Sequence, residues 1–146
     1  MQIIKQSHEI LFPNPDDDDA WSAMLQIVEI AGRTCYKSEA RGDPNKFIRH
    51  IRDSGHHSVL EHGNITVRFI TDRGVTHELV RHRLAAYSQE STRYCDYGNG
   101  DVEFILPVWF KHPADWYNKP GLKGMLRNEL GWYVTMKRLE EVYKDM

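Results

Sequence analysis

The chain has 146 residues, 40% of them apolar and 27% charged, with a formal net charge of −2. That length suits one domain with one core, over residues 1–146, and the acidic balance supplies no global field for non-specific nucleic-acid binding, so any anion site must be local. No apolar run is long enough to span a bilayer, no signal-peptide core opens the chain, and Cys35 and Cys95 form neither a CxxC nor a disulfide framework, which together predict a cytoplasmic protein.

In chain order, residues 1–6 predict a short strand around Ile3 and Ile4, and residues 12–15 a breaker. The acidic run Asp16, Asp17, Asp18 and Asp19 precedes Trp21, Met24, Leu25, Val28 and Ala31 at helical spacing. Acids at a helix start complement the macrodipole, and nothing nearby completes a calcium loop, so the run reads as a capped, solvated helix start. Asp43-Pro44 predicts a second helix start, with Phe47, Ile48 and Ile51 on its buried face and Gly55 at its end. Ile65, Val67 and Phe69 alternate with polar residues as a half-buried strand does. Asp72-Arg73-Gly74 reads as a turn, after which Val75, Leu79 and His82 share a helical face. Val102, Phe104 and Leu106 alternate again, and Pro107 closes that strand. Residues 109–121 read as an aromatic loop. From about Lys123 a long helix is expected, its stripe of Leu126, Leu130, Tyr133 and Val134 wider than one small domain easily covers. It runs to Met146 without a cap or breaker, which suggests a polypeptide that stops early.

The chemistry concentrates between residues 81 and 94: Arg81-His82-Arg83-Leu84-Ala85-Ala86-Tyr87-Ser88-Gln89-Glu90-Ser91-Thr92-Arg93-Tyr94. Arginine forks match phosphate oxygens two at a time, and Ser, Thr and Gln complete an oxygen shell with neutral hydrogen bonds. His82 lies between two cations, which disfavour its protonation, so a neutral ring near pH 7 is expected. Ser91 has no adjacent base and no nucleophile elbow, so it reads as a binding residue rather than a nucleophile. The bland alternative is a surface loop with structural ion pairs, for example Arg83 or Arg93 with Glu78 or Glu90. Eight histidines raise a metal hypothesis, but the spacings fail. His77-Glu78 is followed by His82 at i+5 rather than i+4, and His57 to Glu61-His62 misses the inverted motif by one residue. No metal site is expected.

Arg-His-Arg, seven residues and then Ser is the signature of the flavin-dependent thymidylate synthases, and the chain resembles that family along nearly its whole length. Ala31-Gly32-Arg33-Thr34-Cys35-Tyr36 looks like the family's early Arg-containing segment. Ser54-Gly55-His56-His57-Ser58-Val59-Leu60-Glu61-His62 looks like its His-rich segment, and Val102-Glu103-Phe104-Ile105-Leu106-Pro107 like the strand after the signature. The resemblance implies an α+β fold, an antiparallel or mixed sheet packed with helices. It implies reductive methylation of dUMP to dTMP, with methylenetetrahydrofolate as carbon donor and NADPH-reduced FAD as reductant. It also implies a homotetramer with sites formed between subunits, and no nucleic-acid or membrane partner. By the same resemblance Ser58, Arg81, His82, Arg83 and Gln89 meet FAD. Glu78, Leu79, Val80, Arg81, Gln89, Glu90, Ser91, Thr92 and Arg93 meet dUMP, with Ser91 near the phosphate.

Family members are longer. Their next segment supplies further contacts, including an Arg that activates the pyrimidine and lies beyond Met146, so no catalytic residue is assigned within residues 1–146. The expectation is a chain that holds the fold and ligand contacts but makes dTMP poorly alone. Two other readings stand beside the enzyme: a shortened relative that binds FAD or nucleotide without efficient turnover, and a nucleic-acid module using Arg81, Arg83, Arg93, Trp109 and Tyr117. The last has net acidity against it and no recognised reading motif.

Overall fold

The structure is a computed structural model that describes residues 1–91, 93–95, 100 and 102–145. Its elements are β1 (Gln2–Ile4), β2 (Ser7–Phe12), α1 (Asp18–Tyr36), α2 (Pro44–Asp53), α3 (His57–Leu60), β3 (Thr66–Ile70), α4 (Arg73–Leu79), β4 (Glu103–Ile105), α5 (Ala114–Tyr117) and α6 (Arg127–Lys144). Helices and small sheets mix, as an α+β chain requires. The contacts divide the chain into two compact units, one of residues 8–69 and one of residues 1–7 with 70–146. Among the described residues no helix is long and apolar enough to cross a membrane.

In the unit of residues 8–69, local chemistry sets the helix ends. The Asp17 carboxylate accepts from the Asp19 and Ala20 N–H groups at 3.0 and 3.1 Å, while Asp18 and Asp19 fill the first turn of α1. The acidic run is therefore the capped start that its sequence predicts. Asp43 caps α2 through the Asn45 N–H at 2.9 Å, with Pro44 in the first turn. Val28, Ile51 and Val59 form the buried centre, with Ala31, Phe47, Ile48 and Leu60 packed around it. Gly32 makes this packing possible. A Cβ there would lie 2.8 Å from Phe47 Cε1, closer than carbon atoms tolerate, and a tight 3.2 Å from Val59 Cγ1. The next residue, Arg33, is largely buried. Its Nε donates to Glu29 Oε1 at 2.7 Å, one Nη donates to the Glu39 carbonyl at 2.8 Å, and its guanidinium lies 4.2 Å from the Phe47 ring centre. The charge is thus paired, hydrogen-bonded and stacked at once. α3 is a single turn without helical periodicity, and the sequence reading does not contain it. Nor does it contain β2, which runs up to the expected breaker and pairs with β3.

In the other unit β1 and β4 run parallel, with Ile3 opposite Phe104. The buried Ile3 exchanges two 2.8 Å hydrogen bonds with the Asn118 amide, one through its N–H and one through its carbonyl. A side chain thereby satisfies backbone groups of β1 that the sheet leaves open. Phe110 and Trp116 pack tilted and edge to face against the buried Tyr117, and Trp132 packs edge to face against Phe110. Residues 109–121, read as a loop, thus contain the short α5 and an aromatic cluster. α6 begins at Arg127 rather than near Lys123, because Gly124 takes φ +88° and Leu126 is extended. Leu130, Val134, Leu139 and Val142 stay exposed on it, as does Leu126 just before it. Asp72-Arg73-Gly74 is the start of α4 rather than a free turn, because the Asp72 carboxylate accepts from the Val75 N–H at 3.0 Å.

The buried Glu129 closes the start of α6. It accepts from the Leu126 N–H at 3.0 Å and the Lys111 N–H at 3.2 Å. The Leu126 bond above all, helped by Lys111, holds this carboxyl below its ordinary range against the opposing effect of burial.

Two outcomes follow from these contacts. Gly32→Ala should cost about 1–3 kcal/mol through overpacking, read as a lower midpoint of urea denaturation. Glu129→Gln should cost about 1–3 kcal/mol at pH 7 by the same measurement. A depressed carboxyl contributes stability above its unfolded value and loses it as pH falls through the folded one. The gap between wild type and Glu129→Gln should therefore narrow below the ordinary carboxylate range; a gap that widens in acid would contradict the assignment.

Candidate functional site

The site that the sequence points to begins where α4 ends. Glu78 and Leu79 occupy its last turn and Val80 caps it, and the chain then turns through N–H bonds from Arg81 to the Glu78 carbonyl and from His82 to the Leu79 carbonyl, at 3.2 and 3.1 Å. His82 therefore lies outside the helix and does not share a face with Val75 and Leu79 as its spacing suggests. The helix stops three residues earlier because the carbonyl partners become turn partners. Leu84 follows at φ +63°, a left-handed conformation that a branched side chain rarely takes. Arg81, His82 and Arg83 are all exposed.

One arginine is held. Arg81 Nη1 donates to both carboxylate oxygens of Glu78 at 3.1 Å, one turn back on α4. Glu78, one of the two acids of the bland reading, is thus paired, and its partner is Arg81. The pair is exposed on both sides, so it orients the guanidinium more than it stabilises the fold. Gln89 donates through Nε2 to Thr76 Oγ1 at 2.9 Å. That bond ties the segment after the signature back to α4, and so brings Gln89 to the helix that carries Glu78 and ends just before Arg81. Thr76 has no local signal of this role, since its partner lies 13 residues away.

Ser91 is half-buried and organises the next turn. Its Oγ accepts from the Arg93 N–H at 3.3 Å, and its carbonyl accepts from the Tyr94 and Cys95 N–H groups at 3.1 and 3.0 Å. Glu90 and Arg93 are exposed. Thr92, also expected to meet substrate, lies outside the described residues. Ser58 sits on α3, exposed, in the unit of residues 8–69, whereas every other expected site residue belongs to the other unit.

An exposed cluster of two arginines and an imidazole, with amide and hydroxyl groups following, can bind an anion that carries a flat ring. The arginines supply paired donors for phosphate oxygens, and the imidazole supplies a ring face and a hydrogen bond. Since the Glu78–Arg81 pair is exposed on both sides, Glu78→Gln should leave the urea midpoint unchanged while releasing the Arg81 guanidinium. A large loss of stability would show that the pair is structural.

Comparison with known proteins points the same way. The family described as "Thymidylate synthase complementing protein" matches residues 19–146. A protein of Mycobacterium sp. (strain KMS) named flavin-dependent thymidylate synthase is 45% identical over 123 residues, which cover 79% of this chain and 47% of the relative. Proteins of the same name from Mycolicibacterium gilvum (strain PYR-GCK) and Mycobacterium tuberculosis (strain ATCC 25618 / H37Rv) are 44% identical over 88 residues and 42% over 96. These cover 56% and 61% of this chain but 34% and 37% of those relatives. The chain therefore spans between about a third and a half of the length of these curated relatives. No solved structure matches it.

Proposed function

The chain belongs to the thymidylate synthase complementing protein family, and on that premise we propose that the whole protein is a flavin-dependent thymidylate synthase. It converts dUMP to dTMP, with methylenetetrahydrofolate as the one-carbon donor and NADPH as the source of reducing equivalents. The observation that carries this reading is the exposed Arg81-His82-Arg83 segment at the end of α4, with Gln89 tied back to the same helix through Thr76.

The residues present suit FAD and dUMP chemically. Both ligands are anionic phosphates joined to flat rings with carbonyl acceptors. Arg83 and Arg81 are permanent cations with planar forks for phosphate oxygens, and His82 offers a flat polar ring beside them. In this reading Ser58, Arg81, His82, Arg83 and Gln89 hold FAD. Glu78, Leu79, Val80, Arg81, Gln89, Glu90, Ser91, Thr92 and Arg93 hold dUMP. FAD supplies the reducing equivalents when bound. The chain's own residues bind and orient: Glu78 sets the direction of Arg81, Thr76 holds Gln89 against α4, and Ser91 shapes the turn that presents Arg93. The same reading includes the family fold, a cytoplasmic homotetramer and sites shared between subunits. The exposed apolar residues of α6, Leu130 and Val134 among them, support association.

The test is a titration of FAD fluorescence with the chain and with Arg83→Ala. Removing charge-assisted hydrogen bonds worth about 1.5–3 kcal/mol should weaken flavin about ten- to hundredfold. Equal affinity would remove the assignment. NADPH oxidation that depends on added dUMP would establish the reaction beyond binding.

A further inference from the structure

The end of α1 and the residue before α3 bring together two side chains that no role above uses. Tyr36 closes the last turn of α1, and His56 precedes α3 without capping it through its side chain. The Tyr36 hydroxyl is hydrogen-bonded to His56 Nδ1. Their rings lie 5.8 Å apart and within 21° of parallel. Both residues are exposed, so core packing does not force the contact. Each is nonetheless placed by backbone. Tyr36 is fixed by its helix, and the His56 N–H donates to the carbonyl of the fully buried Ile51 at 3.1 Å.

The chemistry of imidazole then restricts what His56 can do. A neutral ring has one donor nitrogen and one acceptor nitrogen, and the partner of one fixes the other. When Tyr36 donates its hydroxyl proton to Nδ1, the ring proton must sit on Nε2. His56 then offers an N–H donor at an exposed position, two residues before Ser58. Without Tyr36 the two tautomers compete, and the donor is present only part of the time.

We propose that Tyr36 is a positioning residue that locks His56 in its Nε2–H tautomer, so that this N–H donates to a carbonyl or ring-nitrogen acceptor of a planar ligand bound at Ser58. The role rests on the reading that Ser58 belongs to the FAD and nucleotide site. Flavin and uracil share this acceptor chemistry, so the experiment keeps them in separate arms.

Nitrogen-15 correlation spectra of the whole chain, at one pH slightly above neutrality, report the tautomer directly. Wild type should show His56 protonated on Nε2, and Tyr36→Phe should show a mixture. An unchanged tautomer in Tyr36→Phe overturns the positioning role. FAD and dUMP are then titrated separately into wild type, Tyr36→Phe, His56→Gln and the double variant. Tyr36→Phe should weaken the ligand that meets His56 by about three- to tenfold, the effect of one neutral hydrogen bond. Because Tyr36 acts through His56, the double variant should bind no worse than His56→Gln alone. Additive losses, or binding that Tyr36→Phe leaves intact, overturn the proposal. Wild type that binds neither ligand, with Arg83→Ala indistinguishable from it, overturns the functional reading and the ligand role together. Flavin still lost in Arg83→Ala but indifferent to Tyr36 removes the positioning role alone.

Discussion

A missing methyl group at residue 32 sets the packing of the unit of residues 8–69. α1 approaches the Phe47 ring and Val59 so closely that a Cβ would stand 2.8 Å from a ring carbon. The approach lets Phe47 take the Arg33 guanidinium on its face, and Arg33 in turn spans Glu29 and the Glu39 carbonyl. One small residue thus permits a contact, and the contact adds a ring face to the ion pair and carbonyl that partner a largely buried cation. The end of α1, where Tyr36 meets His56, inherits its position from that arrangement.

The other unit solves a different problem. Among the described residues its sheet is two short strands, β1 and β4, so backbone groups of β1 need partners that the sheet does not supply. The Asn118 amide satisfies both ends of Ile3, and the Glu129 carboxylate gathers the N–H groups of Leu126 and Lys111. Polar side chains here do work that a wider sheet would do with backbone. α4 then has a free, exposed end. The turn after it carries the arginines outward, with Glu78 and Thr76 as local guides for Arg81 and Gln89. The guides are neutral or weakly stabilising contacts, which a binding site can exchange for ligand contacts at little cost to the fold.

Much of this was legible beforehand, and the pattern of success has a physical cause. The caps at Asp17 and Asp43, the stripe of Phe47, Ile48 and Ile51, and the existence of β3 depend on neighbours within a few residues, whereas Ile65 and Phe69, expected on a buried face with Val67, are exposed. Sequence and structure part where partners are distant or where one dihedral angle decides. α6 starts at Arg127 because of φ at Gly124, and α4 starts at what reads as a turn because Asp72 caps rather than merely bends the chain. The one-turn helices α3 and α5 are too short for periodicity to register.

The sequence by itself determined the chemistry of the candidate site: which cations stand together, which hydroxyls and amides follow them, and the family that this spacing marks. Those properties reside in residue identity and order, and they survive whatever the chain does in three dimensions. Only the tertiary structure decided that Arg81 rather than Arg83 or Arg93 pairs with Glu78, that Gln89 returns to Thr76, and that Tyr36 holds His56 across 20 residues of sequence. A hydrogen bond is a statement about two positions and an angle. No composition or periodicity contains that information until packing has fixed where both ends are.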